Sequence, residues 1–301
     1  MGMHRIRTDL ALEAKERYEE NNVEIRGVKI DEEYNEEKDI RTTTVVIETE
    51  NGAKAMGRPQ GTYITLEAPN LSVPDEDYHQ EISEELAAHM RRLIPMKEEM
   101  TILVVGLGNR EITPDALGPD VIGNLHITRH VIREYGVQGI GEKGTHSISG
   151  LVPGVMAQTG METLEIIKGV VDETNPDVVI AIDALAARSM KRLTRTIQIT
   201  DTGIHPGSGV GNHRSGLTKE TLGVMVIGIG VPTVVDAATI VHDAMAHLLE
   251  ALEEAEKKEF LEEMITPQLH SMFVTPKDVD ETVKRLSYTI SEGLNLAFCG
   301  E

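Results

Sequence analysis

Three uninterrupted apolar runs organise this chain. Ile102-Leu103-Val104-Val105 leads into Gly106-Leu107-Gly108-Asn109, Val178-Val179-Ile180-Ala181-Ile182 meets Asp183, and Val224-Met225-Val226-Ile227-Gly228-Ile229 meets Gly230. Apolar residues at every position, rather than every second one, fit strands buried on both faces. Helical patterns follow them, one expected from Asp115 to about Arg133, one from Val235 to Glu256 and a last from about Asp278 to Ala297. Buried strands alternating with helices predict an α/β fold with a mostly parallel sheet covered on both faces.

Before Thr101 the texture differs. Thr42 to Ile47 and Thr62 to Leu66 are short β-rich runs, with Gly52, Gly57 and Gly61 read as turns between them. Pro74-Asp75-Glu76-Asp77 leads into a helical pattern carrying Ile82, Leu86, His89, Met90 and Leu93. This reading divides the chain into a β-rich N-terminal part, about 10–100, and an α/β core, about 101–301, packed as one unit. No internal repeat or low-complexity linker separates them, and the Glu- and Lys-rich stretch from Glu253 to Glu263 reads as a solvated helix face.

The formal net charge of -21 argues against direct nucleic-acid binding, which needs clustered Lys and Arg against phosphate. Aromatic residues make up only 3% and Trp is absent, so the core must be aliphatic. The lone Cys299 allows no internal disulfide and no cysteine cluster for zinc, which fits a reducing cytoplasm. No apolar run reaches membrane-spanning length.

Function in an open α/β sheet sits beyond the carboxyl ends of its strands. Candidate loops there are Gly106 to Pro119, Asp183 to Ser189 and Gly230 to Thr233, with a Gly-rich loop from His205 to Asn212. A dinucleotide fingerprint starting at Gly106 would need glycine where Glu111 stands, so it is broken and no cofactor is implied. Asp115 and Asp183 each stand beside the end of an apolar strand. Either could cap a following helix. Alternatively they form a carboxylate pair, in which one member stays ionised and the other holds a proton. Such a pair activates water and protonates a leaving group without metal or cysteine. His205, in the Gly-rich loop, is a further site candidate, and Gly207-Ser208-Gly209 lacks the full pattern of a serine nucleophile.

The same residues carry a family resemblance. Leu103 to Asn109, Thr113-Pro114-Asp115-Ala116-Leu117-Gly118-Pro119, Leu151 to Met156, Ala181-Ile182-Asp183-Ala184-Leu185-Ala186-Ala187-Arg188-Ser189, Gly203 to Asn212, Val231 to Ala237 and Val274 to Lys277 occur in order. Together they resemble the germination proteases of spore-forming bacteria, from Arg7 to Asn295. The resemblance implies a three-layer α/β/α peptidase domain like that of hydrogenase maturation proteases. It also implies a homotetramer in the spore core and an atypical aspartic endopeptidase, made as a zymogen, that degrades small acid-soluble spore proteins during germination. By motif the catalytic aspartates are Asp115 and Asp183. The family cleaves after an acidic residue, so a cationic subsite is expected, with Arg188 as the local candidate for substrate binding. Arg7-Thr8-Asp9-Leu10-Ala11 resembles the family's processing site, which makes residues 1–9 an expected propeptide cut between Asp9 and Leu10. A metal-binding maturation-type protease and a peptidyl-tRNA hydrolase-like enzyme are the alternatives. The stretch before Thr275 looks shorter than in longer family members.

Overall fold

A computed structural model describes residues 9–13, 26–139, 144–205, 215–246, 269 and 272–299. Expectations for residues 1–8, for the Gly-rich loop over 206–212, for the helix beyond 246 and for 253–263 lie outside the described residues. The strands are β1 (Val28–Asn35), β2 (Ile40–Ile47), β3 (Gly61–Glu67), β4 (Thr101–Gly106), β5 (Ser147–Leu151), β6 (Val178–Ala187), β7 (Thr196–Thr200), β8 (Met225–Asp236) and β9 (Phe273–Val274). They join one sheet in the order β1-β2-β3-β7-β8-β6-β4-β5, with β9 added to β8. The β8-β6-β4-β5 half is parallel, as the apolar runs require. The N-terminal hairpins extend the same sheet in antiparallel fashion through β3 and β7.

The continuous apolar runs explain the layering. Along β4, Ile102 and Val104 face one core, while Leu103 and Val105 face another. Along β6, Val178, Ile180 and Ile182 join the first, Val179 and Ala181 the second. The first core is closed by α2 (Glu76–Leu93), α3 (Leu117–Asn124) and α6 (Val279–Phe298), the second by α5 (Thr163–Thr174) through Ile167 and Val171. The three layers follow from this alternation. α1 (Glu50–Met56), around the Gly52 read as a turn, packs Met56 under β2 and β3.

Two expectations change. Asp183 and Gly230 do not end their strands: β6 and β8 pair beyond them, Asp183 with Gly230, and on to Ala187 with Val235 after a register shift at Leu185 and Ala186. A carboxylate points off one face while its backbone stays in the ladder, so polarity alone does not stop a strand. Likewise, the helix expected over Asp115 to Arg133 is two helices, α3 and α4 (Arg129–Tyr135). Thr128 breaks it, its hydroxyl donating to the His146 carbonyl (2.5 Å) and accepting from the Ile148 N–H (2.9 Å) at β5.

Three buried histidines make stability depend on pH. Burial pulls His79, His89 and His146 below their ordinary value, with Arg285 and Arg92 adding to it at His79 and His89 and nearby acidic groups partly opposing it. Neither ring nitrogen of His89, which is 5% exposed, has a hydrogen-bond partner among the described residues. The unfolded chain protonates such groups near about 6.5, while the fold resists. The unfolded state therefore binds more protons as pH falls, and this stability, fully present above about 6.5, is lost below it. The urea midpoint should drop between pH 7.5 and pH 5.5, and His89→Leu should flatten that drop. An unchanged slope in the variant would remove His89 from the account.

Candidate active site

β4 stops at Gly106, opposite Ile182, and β6 continues past it. One residue on, the Leu107 N–H donates to the Ile182 carbonyl at 2.8 Å. The chain then turns away at Gly108, whose φ of 109° lies in the region that favours glycine. A methyl group there would fall 2.0 Å from the Asp115 carbonyl oxygen and 3.1 Å from its Oδ1. The Asn109 N–H donates to both the carbonyl oxygen (3.0 Å) and Oδ2 (2.8 Å) of Asp115. Asp115 closes a 3-10 turn from Thr113, and the Thr233 hydroxyl of β8 donates to the Pro114 carbonyl at 2.6 Å. Asp115 therefore lies over the end of β4, on a turn anchored to β8.

Asp183 is 6% exposed and shares a β6 face with Val179 and Ala181. Its β8 neighbour Gly230 presents no side chain. Asp183 Oδ1 accepts from the Ala184 N–H at 3.0 Å. Helix capping, one expectation for both aspartates, is not what either does. The N-cap of α3 is Ala116, and Asp183 lies inside a strand. Both border one strand end: Leu107 is tied to the residue before Asp183, and Gly108 is packed on Asp115.

Beside Asp183, on the same face, a pocket opens over Gly228 and Gly230 of β8. Leu185, Gln198, Tyr63, Arg58, His205 and Asp9 line it. The N-terminal segment lies along it, with a bend at Asp9 and a helical turn from Ala11 to Glu13. The Asp9 N–H donates to the Ala186 carbonyl (3.2 Å), and the Ala186 N–H donates to Asp9 Oδ2 (3.0 Å). Gln198 reads the segment's backbone, with Nε2 on the Asp9 carbonyl (3.1 Å) and Oε1 accepting from the Ala11 N–H (2.6 Å). Leu10 is fully buried among Leu185, Ala187 and Val235. Glu13, 1% exposed, accepts from the Arg188 and Ser189 N–H groups and pairs with Arg192.

Asp115 and Asp183 border the end of β4, Asp9 and His205 line the groove over β8, and Leu10 packs in the cluster with Leu185. Arg188 stands further along the chain beyond β6, engages Glu13 through its backbone, and does not line the pocket. The cation that does is Arg58, its guanidinium 6.0 Å from the centre of the Tyr63 ring. Sequence reasoning missed Arg58, which sits between Gly57 and Pro59 with no local motif to mark it. Burial draws Arg58 below its ordinary value, while the charges of Asp9, Tyr63 and Glu13 push it back up. An arginine so placed stays charged. Among the described residues, no group of three His, Cys, Asp or Glu side chains is disposed to hold a metal ion. No helix among them is long and apolar enough to cross a membrane.

Fold and site together define an α/β protein with a carboxylate-bordered strand end and a groove that holds the chain's own N-terminal segment. The family model described as germination protease matches residues 6–252 and 244–301. A germination protease of Caldanaerobacter subterraneus subsp. tengcongensis is 48% identical over 97% of this chain and 94% of its own. Those of Clostridium perfringens and Bacillus cereus are 44% and 38% identical, covering 98% and 99% of this chain and 95% and 94% of theirs. The chain therefore belongs to the germination protease family and is a protease. Among solved structures, a nickel–iron hydrogenase maturation protease from Thermococcus kodakarensis is 17% identical, with a TM-score of 0.33 over 65% of this chain and 93% of that one.

Proposed function

We propose that this protein is an endopeptidase that begins the degradation of small acid-soluble spore proteins in the germinating spore core, with Asp115 and Asp183 acting as a carboxylate pair. The observation that carries this reading is that both aspartates border the end of β4 while neither caps a helix. The ionised member takes a proton from water, whose oxygen attacks the peptide carbonyl carbon. The protonated member gives its proton to the leaving nitrogen as the C–N bond breaks. A carboxylic acid and an amine are released, and the protons balance within the pair. The test is to incubate the protein with a purified small acid-soluble spore protein, with and without EDTA, and to map new termini by mass spectrometry. Defined internal cuts after acidic residues, equal in both arms, are expected. Cuts that vanish with EDTA favour a metal-assisted maturation-type protease, and an intact substrate contradicts the function.

The protein also processes itself between Asp9 and Leu10. This reading is supported by the place of that bond, held by Ala186 of β6, three residues beyond Asp183, and by Gln198 of β7. Leu10 and Ala11 are fully buried, so the bond is closed to an outside protease in the intact fold. N-terminal sequencing after incubation should show Leu10 as a new first residue, and Asp9→Lys and Asp183→Asn should not. Equal processing in Asp183→Asn assigns the cut to another protease. A homotetramer completes the proposal: β1 is an exposed edge strand open to a partner subunit.

A further inference from the structure

A protease that cuts after acidic residues needs a positive charge beside its scissile bond, and the expected candidate, Arg188, does not line the groove. We propose that Arg58, standing by the Tyr63 ring, is the specificity-determining cation that selects an acidic residue on the N-terminal side of the cleaved bond, with Asp9 and Leu10 occupying the subsites as a substrate would. The proposal rests on the proposed endopeptidase reading and names how that same site chooses its substrate.

Three observations converge. Arg58 and Asp9 line one pocket, whose floor is Gly228 and Gly230 of β8, next to Asp183. The Leu185 side chain packs over Gly230, and Gly203 with Thr200 over Gly228, so these glycines let the groove walls close onto β8. Asp9 is held by backbone and side chain together: its N–H and Oδ2 on Ala186, its carbonyl on Gln198 Nε2. The following residue, Leu10, drops into an apolar cluster with Leu185, Ala187 and Val235. An acidic residue followed by an apolar one thus fits two adjoining subsites, one cationic and one aliphatic. Leu185 and Asp183 are two positions apart on one face of β6, about 7 Å along a strand, which sets the apolar subsite on the Asp183 side of the strand.

The chemistry favours an arginine here. Tyr63 offers an aromatic face to the guanidinium, and a partly buried position strengthens attraction to a carboxylate relative to open water. Ala186 N–H alone accepts Asp, Glu, Asn or Gln at this place, because an amide oxygen also receives that bond. Arg58 supplies what distinguishes a carboxylate from an amide.

The test uses paired peptides of one sequence with Glu or Gln before the cleaved bond, and the full-length wild type, Arg58→Gln, Arg58→Lys and Arg188→Ala proteins. The readout is the ratio of kcat/KM for the Glu peptide to that for the Gln peptide, with Tm recorded for each protein. Wild type should favour Glu, Arg58→Gln should reduce that ratio by about 10–100-fold, Arg58→Lys should restore part of it, and Arg188→Ala should leave it in place. A ratio unchanged in Arg58→Gln, or collapsed only in Arg188→Ala, overturns the assignment while the endopeptidase reading stands. Equal loss on both peptides in Arg58→Gln, with Arg58→Lys no better, makes Arg58 a structural residue and also overturns it. A wild type that cleaves neither peptide overturns the endopeptidase reading itself.

Discussion

Asp115→Asn and Asp183→Asn should each lower kcat/KM on a small acid-soluble spore protein by about 10²–10⁴-fold, the usual worth of a positioned general acid or base. An asparagine keeps the shape and the capacity to accept from the Asn109 or Ala184 N–H, so Tm and assembly should change little. What it removes is proton transfer. Because the two carboxyl groups act as a unit, the double variant should be no worse than the poorer single one. Initial-rate kinetics with matched thermal melts separate a chemical defect from a folding defect. Both variants cleaving at the wild-type rate would remove the pair from the mechanism.

The second large effect is expected at Gly118, the residue that lets α3 approach the strand ends. A methyl group there would lie 2.4 Å from the Leu107 carbonyl oxygen, 2.6 Å from the Leu107 nitrogen and 2.6 Å from the Ile182 carbonyl oxygen. All three belong to backbone, and the Leu107 N–H is bonded to the Ile182 carbonyl. No rotamer relieves the clash, so α3 must move off the sheet or the hydrogen bond must break. Gly118→Ala should cost about 1–3 kcal/mol or somewhat more, the range for overpacking. It should also displace Asp115, just upstream on the same turn. Activity should therefore fall further than stability explains, by about 10²-fold for a misplacement near 1 Å. Urea melts and kcat/KM measured together test this. A variant with wild-type stability and rate would show that the helix has slack the packing denies. Gly123, whose added methyl meets nothing within 4 Å, is the control.

The parallel half of the sheet was legible because β4, β6 and β8 are buried on both faces, which leaves an unbroken apolar record. Asp115 and Asp183 could be singled out because a carboxylate beside such a run is costly without a purpose. Strand ends were less legible. β6 continues through Asp183 because its pairing with β8 persists, and pairing is a property of two segments, not one. β1, with almost every residue exposed and many charged, has no apolar record at all and exists through its ladder to β2. Arg58 was invisible for a related reason. It precedes β3, far in sequence from Asp183, and meets the groove only because β3 joins β7 and β7 joins β8. Arg188 drew attention by sequence proximity, yet proximity along a strand carries a side chain away from the site at about 3.3 Å per residue.

The central claim is that two carboxyl groups share the work in opposite protonation states, and the pH dependence of kcat/KM tests it most directly. At low pH both members hold protons and no base remains. At high pH both are ionised and no acid remains. Initial rates on a cleavable peptide, with folding checked at each pH because the buried histidines weaken the fold below about 6.5, should give a bell with two carboxyl limbs. A flat profile, or a single limb rising toward neutral pH with no fall above it, would contradict the carboxylate pair.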